Sequence, residues 1–333
     1  MKKRKVLFVV PNFSSFIKKD YVILRKHFST RIHYFRGLKS LPKFFKFLKN
    51  ILWADITISR FANGHAYRAV LFSKIFKKKS IVVVGGYEVA NLPQINYGLA
   101  RSKKSRKKVK YTLEHADKVV TVSESLIDDA FNNIKINRND IEVVPNGYDH
   151  ELFKPLGKKG NLALTVSYCH SWRRYHLKGM DIFLKTATQL PHVNFLMVGI
   201  NDKMLKEIQG QAPPNVSFLK GLPTEKLVSI YQKAKVYCQL SMREGHPNAL
   251  SEAMLCECVP VGTKTPGIQN VIGDTGFYAP FGDVEKTIEA IQKALKSNKG
   301  TSARKRIQTL FPLGRREKEL VEIIKGVDRQ KKL

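Results

Sequence analysis

The stretch Arg243-Glu244-Gly245-His246-Pro247-Asn248-Ala249-Leu250-Ser251-Glu252-Ala253-Met254-Leu255-Cys256-Glu257-Cys258-Val259-Pro260-Val261-Gly262 decides how the chain folds. It follows directly on Val236 to Leu240, a short apolar run of strand length. Gly245 and Pro247 force a turn, a helix starts near Asn248, and Val259 to Gly262 reads as the next strand. The loop leaving the C-terminal end of a strand is where open α/β sheets bind ligands. Backbone N–H groups of Asn248, Ala249 and Leu250 have no partner within the new helix, so they can hold a phosphate with the help of the helix dipole. Glu244 stands before the turn and Glu252 on the second helical turn. One carboxylate can accept hydrogen bonds from hydroxyls on one side of a phosphate, and the other from hydroxyls beyond it. A nucleotide-sugar has this layout.

Outward from this stretch, strands and helices alternate twice over, the pattern of parallel α/β sheets. In the first half, Lys5 to Val10, Ile56 to Ser59, Lys79 to Val84, Lys118 to Val122 and Ile141 to Val144 read as strands. Helical stretches such as Asp20 to His27 and His65 to Phe76 lie between them. In the second half, Leu162 to Ser167, Asn194 to Val198, Val216 to Phe218, Val236 to Leu240 and Val259 to Gly262 repeat the scheme, with helices near Met180 to Gln189 and Thr224 to Lys233. Residues 148–160 look like a joint. The expected architecture is α/β: two doubly wound, Rossmann-like domains facing each other across a central cleft. Residues 1–155 form the N-terminal domain, 156–305 the C-terminal one, and 306–333 a C-terminal helix that packs back across both.

With 333 residues, 43% of them apolar, the chain can bury two cores and is no disordered polycation. No apolar run approaches the ~18 residues of a membrane-spanning helix. The opening Met1-Lys2-Lys3-Arg4-Lys5 imitates a secretory leader, but its apolar part stops at Pro11 and no small-residue cleavage site follows, so it reads as a first strand with a basic lead-in. The four cysteines, Cys169, Cys238, Cys256 and Cys258, include no C-x-x-C pair and read as small buried thiols. Together these features place the protein in the cytoplasm, with a peripheral position on the cytoplasmic membrane face also open.

The formal net charge is +32, and it is one-sided. Residues 1–110 hold 27 Lys and Arg against three acids, Asp20, Asp55 and Glu88. Such a field suits an anionic partner. Seven of the ten residues from Arg101 to Lys110 are basic, and four of the six from Lys74 to Lys79. In Pro42 to Leu52, helical rotation gathers Phe44, Phe45, Phe47, Leu48, Ile51 and Leu52 on one arc, with Lys43, Lys46, Lys49 and Asn50 opposite. That pattern serves either an anionic membrane surface or ordinary packing on a sheet.

These residues resemble the retaining glycosyltransferases of family 4, which have the GT-B fold. Glu244 and Glu252 stand at the spacing of that family's paired glutamates within E-G-[aromatic]-P-N-A-L-x-E-A-M, with His246 where Phe is usual. The resemblance continues in Val119 to Ser125, in Val143-Val144-Pro145-Asn146-Gly147-Tyr148-Asp149 with Phe153 and Pro155, in Lys178-Gly179-Met180-Asp181, in Thr265 to Ile268 and in Gly276 to Asp283. It implies that Glu244 binds sugar hydroxyls and Glu252 the ribose, and that the backbone across Gly245, His246, Pro247, Asn248, Ala249 and Leu250 contacts sugar and phosphate. Lys178 would meet the diphosphate together with an arginine, either Arg173 or Arg174. No D-x-D motif occurs, so cationic side chains and helix amides would take the place of a metal ion, and neither metal nor other cofactor is expected.

The N-terminal half departs from the family. Ser14 and Ser15 replace glycines in the turn after the first strand, and Gly85-Gly86 stand where a cleft histidine is frequent, with Gly85 at its position. Glu88, which follows that glycine pair, is the acceptor-side or catalytic-base candidate, and His65 is a second group at the same edge. The expected activity is hexosyl transfer from a UDP-, GDP- or ADP-sugar, with retention, to a glycan or phospholipid-linked glycan. Two other classes remain to be weighed. A glycoside hydrolase needs its carboxylates ~5–9.5 Å apart across one bond, whereas a phosphate-binding turn separates these two. A non-catalytic relative that binds nucleic acid or membrane rests on charge alone, and no nucleic-acid-binding motif is present, so no nucleic-acid partner is expected.

Overall fold

The computed structural model describes residues 3–35 and 41–327. Met1 and Lys2 of the basic lead-in, and residues 328–333 of the last segment, lie outside them. By packing, the chain falls into two compact units. One is the chain up to Asn146 together with the segment from Gly314 onward, and the other is Gly147–Leu313. Tyr148 and Phe153 are buried in the core of the second unit, as are Ala303 and Ile307 of the helix Gly300–Leu310, whereas the last helix, Leu313–Gly326, packs with the first.

The first unit holds six parallel strands: β1 (Lys5–Val10), β2 (Ser29–Tyr34), β3 (Ile56–Arg60), β4 (Lys79–Val84), β5 (Lys118–Thr121) and β6 (Glu142–Val143). Their order is β2-β1-β3-β4-β5-β6. The central strands are near-continuous β-branched runs because helices cover both their faces. β2 reads Ser-Thr-Arg-Ile-His-Tyr and is only partly buried, as befits an edge strand; the apolar signal that marks the others is missing from it. The helix Leu41–Trp53 forms where the amphipathic pattern requires one, but only part of its apolar arc is used. Phe47 and Ile51 are fully buried against Leu7, Val9 and Ala69, while Leu41, Phe45 and Leu52 are exposed.

The second unit repeats the design with β7 (Gly160–Cys169), β8 (Asn194–Ile200), β9 (Val216–Leu219), β10 (Ala234–Gln239), β11 (Val259–Thr263) and β12 (Phe277–Ala279). Their order is β12-β11-β10-β7-β8-β9, all parallel. The period of two along each strand distributes side chains to two cores. Ala163, Phe195, Met197, Val236 and Cys238 face one core; Leu164, Val198 and Tyr237 face the other. All four cysteines are free and buried, and burial pushes the Cys256 thiol up to about 12 and Cys258 up to about 11, so they pack as small apolar groups.

Both orders reverse direction once, between β1 and β3 in the first sheet and between β7 and β10 in the second. At such a point the loops leaving neighbouring strands run apart and open a crevice at the carboxyl edge. The sequence-predicted site residues of the second unit lie on the loops and helices that follow β7 and β10, at its reversal, and those of the first unit follow β1 and β4.

Candidate functional site

In the second unit, the loops after β7 and β10 are stitched together. The Met242 amide donates to the Leu177 carbonyl at 2.8 Å. Gly179, at φ +62°, sits so close to Leu240 that a Cβ there would lie 2.0 Å from its carbonyl oxygen. A glycine is required on both counts. Gly267 plays the same part on the other side: a Cβ would lie 2.2 Å from the Glu244 carbonyl oxygen. The backbone around Glu244 is thus held from two directions.

That scaffold brings Lys178 and Glu244 together as an ion pair, each side chain about one-seventh exposed (15% and 14%). The same Glu244 oxygen, Oε1, accepts from Ser241 Oγ at 2.8 Å and Gln239 Nε2 at 3.0 Å. Three donors converge on one oxygen, which fixes the carboxylate while its second oxygen stays outside that set. The pair is accessible yet preorganised, as a polar ligand site requires.

Past the turn, the helix Asn248–Leu255 starts behind Pro247 with no side chain capping it. Its first-turn amides have no intrahelical partner, and the positive end of the helix dipole coincides with them. Tyr148 donates its hydroxyl to Asn248 Oδ1 at 2.9 Å, steadying the first residue of the helix. Glu252 is 8% exposed on the second turn, with the Tyr231 hydroxyl 3.5 Å from its Oε2. His246 stacks on Tyr148 (5.8 Å, 14°) and meets Phe311 edge-on (4.8 Å, 78°). Its ring fills an aromatic box, so a flat side chain is needed here and imidazole supplies one. Of the two arginines, Arg174 directs its Nε to the Tyr168 carbonyl at 2.8 Å, while Arg173 is exposed on the helix Trp172–Leu177.

The corresponding edge of the first unit is organised differently. Ser14 caps the start of the helix Ser15–His27 by backbone geometry, its N–H donating to the Asn12 side chain at 3.2 Å; Ser15 is exposed. Glu88 is completely buried. Its Oε1 accepts from the Gly85 and Ala62 amides at 2.8 and 3.1 Å, and its Oε2 from the Gly86 amide at 3.0 Å. The carboxylate ties the loops after β3 and β4 together and is closed to solvent. His65 is buried on the helix that follows β3, with Nε2 on the Arg60 carbonyl at 2.7 Å, and burial lowers its pKa to about 4. It is a neutral structural group.

The sequence reading missed two features at this edge. The first is Phe61, which adopts φ +69°, a conformation bulky residues avoid. Its ring lies against Gly85, where a Cβ would come within 2.4 Å of it, so the aromatic occupies the space a side chain at Gly85 would claim. The second is a buried ion cluster. Arg316 makes a two-pronged contact with Asp20 (2.6 and 2.9 Å) and donates to the Val144 and Pro145 carbonyls. Arg60 adds an ion pair to Asp20 at 3.2 Å and a hydrogen bond to Asn146. Burial alone would raise the Asp20 carboxyl; the two guanidiniums reverse this and hold its pKa below the ordinary value. No sequence signal joins residues this far apart. The φ at Phe61 has no sequence signal either.

Among the described residues, no three or more His, Cys, Asp or Glu stand together as a metal-ligand set, and no helix is long and apolar enough to cross a membrane.

Two family models account for most of the chain. The model described as "Glycosyltransferase Family 4" matches residues 2–152, and the one described as "Glycosyl transferases group 1" matches residues 153–309. A relative in Saccharomyces cerevisiae named phosphatidylinositol N-acetylglucosaminyltransferase GPI3 subunit is 25% identical over 56% of this chain and 44% of its own length. One in Bacillus anthracis named N-acetyl-alpha-D-glucosaminyl L-malate synthase is 25% identical over 61% of this chain and 58% of its own. The chain spans about half the length of the curated relatives it matches. Among solved structures, Anabaena HepE in complex with UDP and glucose superposes with a TM-score of 0.78 at 16% identity, covering 97% of this chain and 100% of that one.

Proposed function

The chain belongs to the glycosyltransferases of the GT-B fold, with a family 4 unit followed by a group 1 unit, and on that premise we propose how its site works. The second unit binds a UDP-sugar, an N-acetylhexosamine being the first sugar to test, and the sugar passes to an acceptor hydroxyl with its anomeric configuration retained. The observation that carries this reading is the Lys178–Glu244 pair beside the uncapped helix start at Asn248, where the second sheet reverses its strand order. UDP is favoured because HepE was solved with it, and the N-acetylhexosamine because the relatives' names carry it.

In the proposed mechanism, Glu244 accepts hydrogen bonds from the sugar hydroxyls and Glu252 from the ribose. Lys178, the amides of the Asn248–Leu255 helix and Arg173 neutralise the departing diphosphate, so no divalent metal takes part. The acceptor attacks on the face from which the diphosphate leaves, and the leaving phosphate takes the acceptor proton. With Glu88 sealed among three amides, no base from the first unit is required.

The acceptor in this reading is a phospholipid-linked glycan at an anionic membrane, which makes the protein peripheral on the cytoplasmic face. Right-handed crossovers put the helices Leu41–Trp53, Gly64–Ile75 and Lys103–His115 side by side on one face of the first sheet. That face exposes Leu41 (71%), Phe45 (61%) and Leu52 (52%) beside Lys43, Lys46 and Lys49, and carries the basic run around Lys103 to Lys108. Apolar groups for the acyl boundary and cations for lipid phosphate, each worth about 1 kcal/mol near such a surface, are what a bilayer needs.

The test is a thermal-shift panel of UDP, GDP, ADP and their sugar conjugates, in EDTA, on the wild type and Glu252→Ala. A metal-independent rise with UDP species, weakened in the variant, is the expected result. Folded protein that responds to no nucleotide would sink the reading. Flotation with phosphatidylserine vesicles checks the membrane half, with Phe45→Ser and Leu52→Ser expected to reduce binding.

A further inference from the structure

We propose that a pocket on the second unit, lined by residues other than the Glu244 group, binds one pyranose ring of a glycan. Trp172, Tyr175 and His176 of one helix face Asp181 and Lys185 of the next, enclosing a cavity of about 310 Å³. That volume lies at the lower end of the ~300–1,000 Å³ of small-ligand sites, enough for a single sugar but tight for a nucleotide.

Trp172 is the first sign of a ligand. An indole on a helix is ordinarily well covered, yet this one is 45% exposed. It is nevertheless held in place, meeting Tyr175 edge-on (5.3 Å, 82°) and lying nearly parallel to His176 (6.0 Å, 24°). The helix that carries it is fixed at its start, where Ser171 Oγ accepts from the Arg174 amide. An oriented, open aromatic face costs little entropy on binding and suits the C–H face of a sugar ring.

Asp181 is the second. Its Oδ2 lies 3.2 Å from His176 Nδ1, but its Oδ1 is buried without a hydrogen-bond partner. That oxygen is closed off, so the atom able to take a sugar hydroxyl is Oδ2, on a side chain about one-quarter exposed. Lys185, one turn further along the same helix, also lines the cavity and brings donors to a neighbouring hydroxyl. The chemistry narrows the occupant. The Asp181 carboxylate opposes a phosphate, Lys185 offsets its charge and leaves no preference for a cation, and the mixture of Trp172, Leu184 and Ile208 with Thr188 and Gln211 suits a ring with one apolar and one hydroxylated face. A neutral polyhydroxylated ring satisfies all three. Placed on the donor-binding unit, such a subsite would retain the glycan being extended; the choice of sugars to test rests on the transferase reading.

The chain has two tryptophans, so Trp53→Phe leaves Trp172 as the sole indole reporter. Its emission is titrated with glucose, N-acetylglucosamine and an N-acetylglucosamine tetrasaccharide, with UDP present in excess to fill the donor site. A saturable change with at least one sugar is expected. Ligand-observed NMR then compares variants on folded protein: Trp172→Phe keeps binding, Asp181→Asn weakens it about tenfold, and Trp172→Ala abolishes it. Absence of saturation with every sugar, or equal binding by Trp172→Ala and Asp181→Asn, overturns the proposal. UDP binding is measured separately. Protein that takes a sugar but not UDP keeps this site and loses the transferase reading; protein that takes UDP but no sugar does the reverse.

Discussion

The two sheets share a plan and differ at their carboxyl edges. In the second unit, the loops at the strand-order reversal hold a lysine and a glutamate partly open to solvent beside a helix start with no side-chain cap. In the first unit, the charged groups at the same edge are turned inward: Glu88 is bound by three amides, and Asp20 is paired with both Arg60 and Arg316 in the core. Phe61, aromatic and conformationally costly, remains partly open there. One edge therefore keeps its charges partly open to solvent, and the other uses them to hold its own structure.

The sharpest way to break this contrast is to unpair the charges of the first unit. Asp20→Ala leaves two guanidiniums buried without their carboxylate, and chemical denaturation should register a loss of about 3–5 kcal/mol. Replacing Asp20, Arg60 and Arg316 together with apolar residues should cost far less. A loss below about 1 kcal/mol for Asp20→Ala would mean that the cluster is not the tie described here. Next in size are Lys178→Ala and Glu244→Gln in the second unit. Each should reduce turnover by roughly 10²–10³, or about 2.7–4 kcal/mol, while leaving the melting temperature within a few degrees of wild type. Unchanged turnover would remove the pair from the site.

Gly85→Ala sets a methyl against the Phe61 ring and should destabilise by about 1–3 kcal/mol. Adding Phe61→Ala should recover most of that; a strictly additive double mutant would show that the two positions do not compete for one space. The smallest effect at neutral pH belongs to His65. Its folded pKa of about 4 lies below the ordinary 6.5, so the unfolded chain binds the extra proton first. Stability from its burial is complete above pH 6.5 and falls as the pH drops towards 4. His65→Gln should flatten the stability–pH curve in that window alone, as followed by denaturant melts at successive pH values.

Much of the molecule is legible in its sequence, and the exceptions have physical causes. Strands such as Lys79–Val84 announce themselves because burial on both faces demands a run of β-branched residues. Ser29–Tyr34 and the three-residue Phe277–Ala279 escaped because edge strands bury little and can be polar or short. The arc of Phe44 to Leu52 gave the helix but not which part of the arc faces the sheet, since amphipathicity fixes an axis and not a contact. Glu88 and His65 sit near strand ends, where ligand groups often lie, and nothing local distinguishes a carboxylate that meets a substrate from one bound by backbone amides.

The sequence alone determined the alternation of strands and helices, the turn at Gly245 to Pro247, the seven-residue separation of Glu244 and Glu252 and the one-sided charge, because each depends on residues close together in the chain. Tertiary structure decided which charges remain available. It placed Lys178 on Glu244, closed three amides over Glu88, brought Arg316 to Asp20 and pressed Phe61 against Gly85. Those pairings depend on strand order and on helices that return from distant parts of the chain, and only packing fixes whether a charged group ends beside water, a ligand or its own backbone.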